Sequence, residues 1–270
     1  MEEIKEKLPY ILLKISDNIY AISCERVVST SILKEVTPIP KAPKEVRGVI
    51  KFREQVIPFV DLRKIFAFKS VEEEIKEFFD LMEARRQDHI YWVNTLENCV
   101  KENTKFTLTT DPHACAFGKW YDSYDSKNTN LMFLITFARF NNPHKNVHEI
   151  GVKVNHLMLE GKLEEAQKII DETKDTDFKQ MMHLFEDIKE AFKESKREIS
   201  VILGEGQNNV CISADEIVSI EHLIPADEDW VGKSIIESKY VEGIFKRDDG
   251  TPVFLINDRL FIKSFAQRMV

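Results

Sequence analysis

The apolar positions of this chain change their period twice. Over residues 8–22, Ile, Leu, Tyr and Val alternate and cluster on either side of Ser16-Asp17-Asn18, the pattern of two strands joined by a turn. Strand-like clusters follow at 46–50 and 56–60, with Pro38, Pro40 and Pro43 between strands, where a missing backbone donor does no harm. From about residue 70 the period becomes helical. Ile75, Phe78, Phe79, Met82, His89, Trp92, Val93, Leu96 and Val100 share one stripe, and Leu163, Ala166, Ile170, Phe178, Met181, Phe185, Ile188 and Phe192 another. Such stripes must pack on something, so several in a row predict an antiparallel bundle. Strand character returns at 199–203, 210–212, 217–220, 241–245 and 252–256, with Asp249-Gly250 marking a hairpin.

The two outer segments repeat each other. Ala21-Ile22-Ser23-Cys24-Glu25-Arg26-Val27-Val28 matches Cys211-Ile212-Ser213-Ala214-Asp215-Glu216-Ile217-Val218, and Val46-Arg47-Gly48-Val49-Ile50-Lys51 matches Val241-Glu242-Gly243-Ile244-Phe245-Lys246. An apolar strand and a short acidic or amide turn follow each. Gly48 and Gly243 supply either a positive φ or a close backbone approach. The chain therefore reads as α+β and multidomain: residues 1–69 form the first half of a β domain, 70–196 a helical insert, and 197–270 the second half. An insert must leave and return at neighbouring points, which an even number of long antiparallel helices provides.

Composition narrows the function classes. The chain has 270 residues, 43% hydrophobic and 31% charged, enough for two domains with their own cores. A formal net charge of −8 argues against non-specific nucleic-acid binding. The start lacks a signal-peptide layout, and the longest apolar run, at 131–137, is far short of the ~20 residues of a membrane span. Cys24, Cys99, Cys115 and Cys211 are too few and too scattered for a disulfide framework. The expectation is a cytoplasmic protein without membrane insertion.

The candidate chemistry lies in the insert. His144 and His148 are four residues apart, so on a helix they project from one face. His89 lies on the apolar stripe of its own helix, and Cys115 would add a thiolate. Three imidazoles and one thiolate suit tetrahedral zinc. A histidine pair alone is a weak signal, since a histidine on an apolar face is more often a satisfied core residue. His156, His183 and His222 match no pattern, and Cys24, Cys99 and Cys211 read as small buried hydrophobes. Gly118 gives the backbone freedom or close packing beside the site, and Pro143 either opens a helix or kinks one. Four protein ligands leave no open position for water. With no phosphate-binding loop, Ser-His-Asp set or paired carboxylates, the expectation is a non-enzyme.

Two resemblances sharpen this reading. Val46-Arg47-Gly48-Val49-Ile50 with Val56-Ile57-Pro58-Phe59-Val60-Asp61-Leu62-Arg63 resembles the CheW family of chemotaxis coupling proteins, and Val253-Phe254-Leu255-Ile256-Asn257-Asp258 looks like its weaker second repeat. The resemblance implies two small five-stranded β-barrels sharing one core. It also implies a scaffold that bridges chemoreceptor cytoplasmic tips to a CheA-type histidine kinase. Ser29 departs from the acidic residue usual near that position. Arg63, expected half-exposed after a strand, pairs either with a carboxylate on a partner or with an internal one. In the insert, His89-Ile90-Tyr91-Trp92, Cys115-Ala116-Phe117-Gly118-Lys119-Trp120-Tyr121 and Pro143-His144-Lys145-Asn146-Val147-His148 together resemble the chemoreceptor zinc-binding (CZB) domain. That resemblance implies zinc held by His89, Cys115, His144 and His148, with Trp92 and Trp120 packed around it and His113 outside the ligand set. It implies sensing of zinc itself or of an oxidant such as hypochlorous acid; a purely structural zinc is the alternative.

Overall fold

The computed structural model describes residues 9–124, 130–225 and 238–266, so Leu8, at the head of the first apolar run, lies outside them. Contacts divide the chain into two compact units, one broken between Ser70 and Arg197, the other running Val71–Lys196.

In the first unit, β1 (Tyr10–Ile15) and β2 (Asn18–Ser23) form a hairpin that pairs Ile15 with Asn18. A 3-10 turn (Cys24–Arg26), β3 (Val27–Ile32), β4 (Val46–Phe52), β5 (Gln55–Val60) and the short helix α1 (Leu62–Ile65) complete the first segment. The second segment repeats this plan as β6 (Ile199–Glu205), β7 (Asn208–Ala214), β8 (Glu216–Glu221), β9 (Ile224–Pro225), β10 (Val241–Lys246), β11 (Pro252–Ile256) and a final helix, α8 (Asp258–Phe265). Equivalent details recur. Both β4–β5 and β10–β11 carry a register shift, at Val46/Gly48 and at Val241/Gly243. Asp61 and Asn257 each cap the helix that follows, accepting from the Arg63 and Leu260 amides respectively.

The strands do not sort by segment. One sheet runs β8-β1-β2-β11-β10-β9 and the other β3-β6-β7-β5-β4. Each segment lends its last strand to the other's central one: β11 lies parallel to β2, pairing Phe254 with Tyr20, and β5 lies parallel to β7, pairing Val60 with Ile212. Among the described residues, the expected five-stranded barrels are therefore corrected to two sheets, of six and five strands, neither closed and both shared between the segments. The chain beyond β3 makes an isolated bridge back to β4 at Thr37–Val49, and Pro38 and Pro40 remove donors from the residues that follow. Gly48, at φ 157, makes the bridge possible: a Cβ there would stand 2.3 Å from the Thr37 carbonyl oxygen. Gly243 has no such constraint, and an added Cβ would meet nothing closer than 3.6 Å.

The exchange explains why these strands read as nearly continuous apolar runs. Leu13, Ile15 and Ile22 enter a core shared with Val60, Leu62, Val201, Leu203, Ile212 and Phe261. Their neighbours Leu12 and Ala21 face the opposite way, joining Val253 and Leu255. Ile50, Ile57, Phe59, Ile202 and Cys211 form the corresponding cluster in the other sheet. Strands buried on both faces need no polar alternation.

The second unit is helical. α2 (Val71–Glu102) is followed by α3 (Ala116–Ser123), α4 (Leu131–Ala138), α5 (Asn141–Leu159), α6 (Leu163–Thr173), a π-helical turn (Lys174–Phe178) and α7 (Lys179–Ser195). The chain makes four antiparallel passes. Phe78 meets Trp120 while Trp92 meets Phe106; Phe78 also stacks on Phe192 at 3.9 Å, and Phe140 packs on Phe185. The second pass is only partly helical. Lys196 reaches Glu74 at 2.7 Å, so the insert begins and ends side by side. Among the described residues, no helix is long and apolar enough to cross a membrane.

Candidate metal centre

Three elements of the helical unit supply the four donors. α2 presents His89 on its buried stripe. Its Nδ1–H donates to the Arg85 carbonyl at 2.7 Å, one helical turn back, which leaves Nε2 as the acceptor nitrogen. Cys115 is the residue that caps α3, its sulfur accepting from the Gly118 amide at 3.1 Å. Gly118 is required here by close approach and not by a special φ: a Cβ would fall 1.8 Å from the Pro112 carbonyl oxygen. α5 carries His144 and His148 on its inner face, and Pro143 occupies its first turn, where a missing N–H costs nothing.

These side chains converge. One ligand atom from each of His89, Cys115, His144 and His148 lies within 4.8 Å of all the others. The Cys115 sulfur is 3.3 Å from His144 Nε2, and the three imidazole centroids stand 4.9–5.5 Å apart. In a tetrahedral site with bonds of ~2.0–2.3 Å the donors would stand roughly 3.3–3.8 Å apart, so a small contraction closes the set. The walls are aromatic: Phe117 packs on His89 and His144, Trp92 on His148, and Phe185 on His89. Trp120 lies one layer away, against Phe78, Phe117 and Phe137.

Hydrogen bonding and charge both fit a cation. His89 Nε2 and both ring nitrogens of His148 are buried without a well-formed hydrogen bond, the Thr109 backbone lying beside His148; His89 is only 2% and His148 1% exposed. Orphaned buried polar atoms are expensive, and such atoms on two of four clustered donors ask for a ligand. Burial, with His89 as a like-charge neighbour, pushes His144 down to about 3 and His148 to about 4. Burial also holds His89 below its ordinary value, against the pull of its bond to Arg85. All three rings are thus neutral at pH 7 and ready to donate lone pairs. Burial pushes the Cys115 thiol up, and the Gly118 and Phe117 amides pull it partly back; a cation entering here displaces the thiol proton.

Other residues fall elsewhere. His113 is exposed and donates to Asp122 at 2.8 Å. His156, His183 and His222 are exposed, Cys24 and Cys99 are half-buried, and Cys211 is buried. Arg63 differs from its expected half-exposure: it is 3% exposed, and its Nε and Nη2 fork onto Asp215 at 2.9 and 2.7 Å while Nη1 donates to the Lys69 carbonyl. The internal alternative describes it. Asp215 also accepts from the Ser16 amide at 2.6 Å, so one carboxylate ties the first hairpin, the end of β5 and the β7–β8 corner together. Sequence reasoning passed over the Arg85 carbonyl and Phe185 as parts of the centre; spacing of four from His89 signalled the first, and nothing in the sequence signalled the second.

Comparison with known proteins matches this division of labour. Residues 9–96 match the CheW-like domain model, and residues 89–155 match the chemoreceptor zinc-binding domain model. The chain is thus similar to a CheW-like domain over its first part and to a CZB domain over the first part of its insert. The CZB match begins at His89 and contains Cys115, His144 and His148; the CheW-like match runs past Ser70 into α2. Among solved structures, the crystal structure of scaffolding protein TtCheW from Thermoanaerobacter tengcongensis is similar at 11% identity and a TM-score of 0.40, over 95% of this chain and 88% of that one. No curated protein matches. The two matches support a chemotaxis adaptor that carries a zinc-binding module.

Proposed function

We propose that this protein is a cytoplasmic, non-catalytic scaffold that couples chemoreceptor tips to a CheA-type histidine kinase, and that its CZB insert adjusts the coupling through zinc held by His89, Cys115, His144 and His148. The observation that supports this most directly is the convergence of four donors from α2, the α3 cap and α5, with His89 Nε2 and the His148 ring buried and lacking a hydrogen bond. Bound zinc would supply a positive centre that draws the donors together and keeps Cys115 ionised. His89 is held in the donating tautomer by the Arg85 carbonyl, and the aromatic walls keep water from competing for the ring nitrogens. Arg63 serves the scaffold by fixing the corner after β5.

The module responds either to zinc availability or to an oxidant. In the second case hypochlorous acid gives its oxygen to the Cys115 thiolate and leaves as chloride, RS⁻ + HOCl → RSOH + Cl⁻, which weakens one donor and releases the α3 cap. Metal content of the purified protein, compared with His148→Ala, tests the site. Kinase activity in a reconstituted receptor array, with and without zinc or hypochlorous acid, tests the switch. Equal activity of wild type and Cys115→Ala under all conditions leaves a static scaffold with a structural zinc.

A further inference from the structure

The helix that returns the chain to the β unit is interrupted beside the metal centre. α6, the π turn Lys174–Phe178 and α7 form one continuous rod, and a π turn holds one residue more than an α turn. Two hydroxyls cover carbonyls around the disturbed ladder: Thr173 Oγ1 donates to the Ile169 oxygen at 2.8 Å and Thr176 Oγ1 to the Glu172 oxygen at 2.7 Å. The turn is held from both histidine-bearing helices. Asn146, midway between His144 and His148 on α5, donates to Asp177 Oδ1 at 3.0 Å. From the other side Lys174 reaches Glu97 on α2, a carboxylate also bound by Lys101 at 2.7 Å.

A regular helix resists axial movement because every residue would have to shift its hydrogen bond at once. A π turn contains the slack locally. Drawing its extra residue into an α turn moves the following helix by ~1.5 Å and rotates it by about 100°. The residues that follow include Phe185, which packs on His89, Phe117 and Phe140, and the helix ends at Ser195, four residues before β6.

We propose that the π turn Lys174–Phe178 is the joint that converts movement of the donor-bearing helices α2 and α5 into movement of α7. This rests on the zinc reading of the centre. As the donors close or part, Asn146 and Glu97 pull on Asp177 and Lys174, and α7 slides while α6 stays in place. The joint is tested by amide hydrogen exchange of the full-length protein, with and without one equivalent of zinc, in wild type, Asp177→Ala, Asn146→Ala and a deletion of Thr176. Zinc affinity is measured in parallel by chelator competition. In wild type, zinc should slow exchange at least tenfold in both α6 and α7. In both alanine variants, which remove one contact from opposite sides at the surface, zinc should still bind within tenfold of wild type and protect α6, while the protection of α7 falls to less than half. The deletion, with no slack, should lose the zinc response in α7 altogether. Equal zinc protection of α7 in all four proteins overturns the joint alone. Absence of zinc binding by wild type overturns the joint and the metal reading together.

Discussion

The two units treat buried polarity in opposite ways. In the β unit the buried charges are matched: Arg63 forks onto Asp215, Arg47 meets Glu198 at 2.6 Å, and the Ser213 hydroxyl accepts from the Leu62 amide. In the helical unit, His89 and His148 leave ring nitrogens without partners, and Arg85 Nε one turn away is unpartnered as well. Those orphans gather where the four donors meet. A unit whose buried polar groups are satisfied needs nothing further to hold its shape; one that concentrates unsatisfied donors in a single place is built for a ligand it is not making from its own chain. The contrast separates a self-sufficient unit from a ligand-ready one without reference to any relative.

The largest test of that contrast is removal of a donor. His148→Ala should lower zinc affinity about a thousandfold, ~4 kcal/mol, measured by chelator competition, while urea unfolding of the β unit stays unchanged. An affinity within tenfold of wild type would mean that His148 is a core residue. Next comes the matched pair: Asp215→Ala leaves Arg63 buried without its carboxylate and should destabilise the β unit by about 3 kcal/mol, read from urea midpoints, without altering zinc content. A change under 0.5 kcal/mol would show that the corner does not depend on the pair.

Acid should act on the metal-free helical unit. His144 and His148 stand at about 3 and about 4 in the fold, below the ~6.5 of an unfolded chain. The unfolded state therefore binds more protons once the pH drops beneath 6.5, and stability falls from there toward the folded values. Between pH 7 and pH 5 the loss should be about 2 kcal/mol for each ring, seen as a falling melting temperature in metal-free protein and reduced in His144→Phe/His148→Leu, where His89, also held low by burial, remains. The smallest effect has the opposite sign. His148→Leu alone should stabilise the metal-free protein by up to ~1 kcal/mol, because it removes a buried imidazole that holds no well-formed hydrogen bond. Loss of stability would place a partner on that ring and erase the contrast with the β unit.

Much of this organisation was readable in one dimension. Period-2 and period-3.6 stretches located the strands and helices because a side chain's face is set by its own neighbours along the chain. The four-residue step from His144 to His148 put both on one face of α5 for the same reason. Two features were misread for a common cause. Arg63 looked half-exposed after its strand, and the repeats looked like two closed barrels sharing one core. The residue that buries Arg63 is Asp215, and the strand that flanks β5 is β7, both on the far side of the insert. Gly118 was ambiguous because its crowding comes from the Pro112 carbonyl folding back over α3.

The sequence by itself determined which segments are strand or helix, and it singled out four side chains whose chemistry suits a metal. Only the tertiary structure decided that the β segments exchange strands, that Asp215 holds Arg63, that the four donors lie within 4.8 Å of one another, and that a π turn interrupts the helix beside them. The first group follows from periodicity and residue chemistry, which are local. The second depends on contacts across the insert or between helices, and no spacing along the chain encodes which distant group will be on the other side.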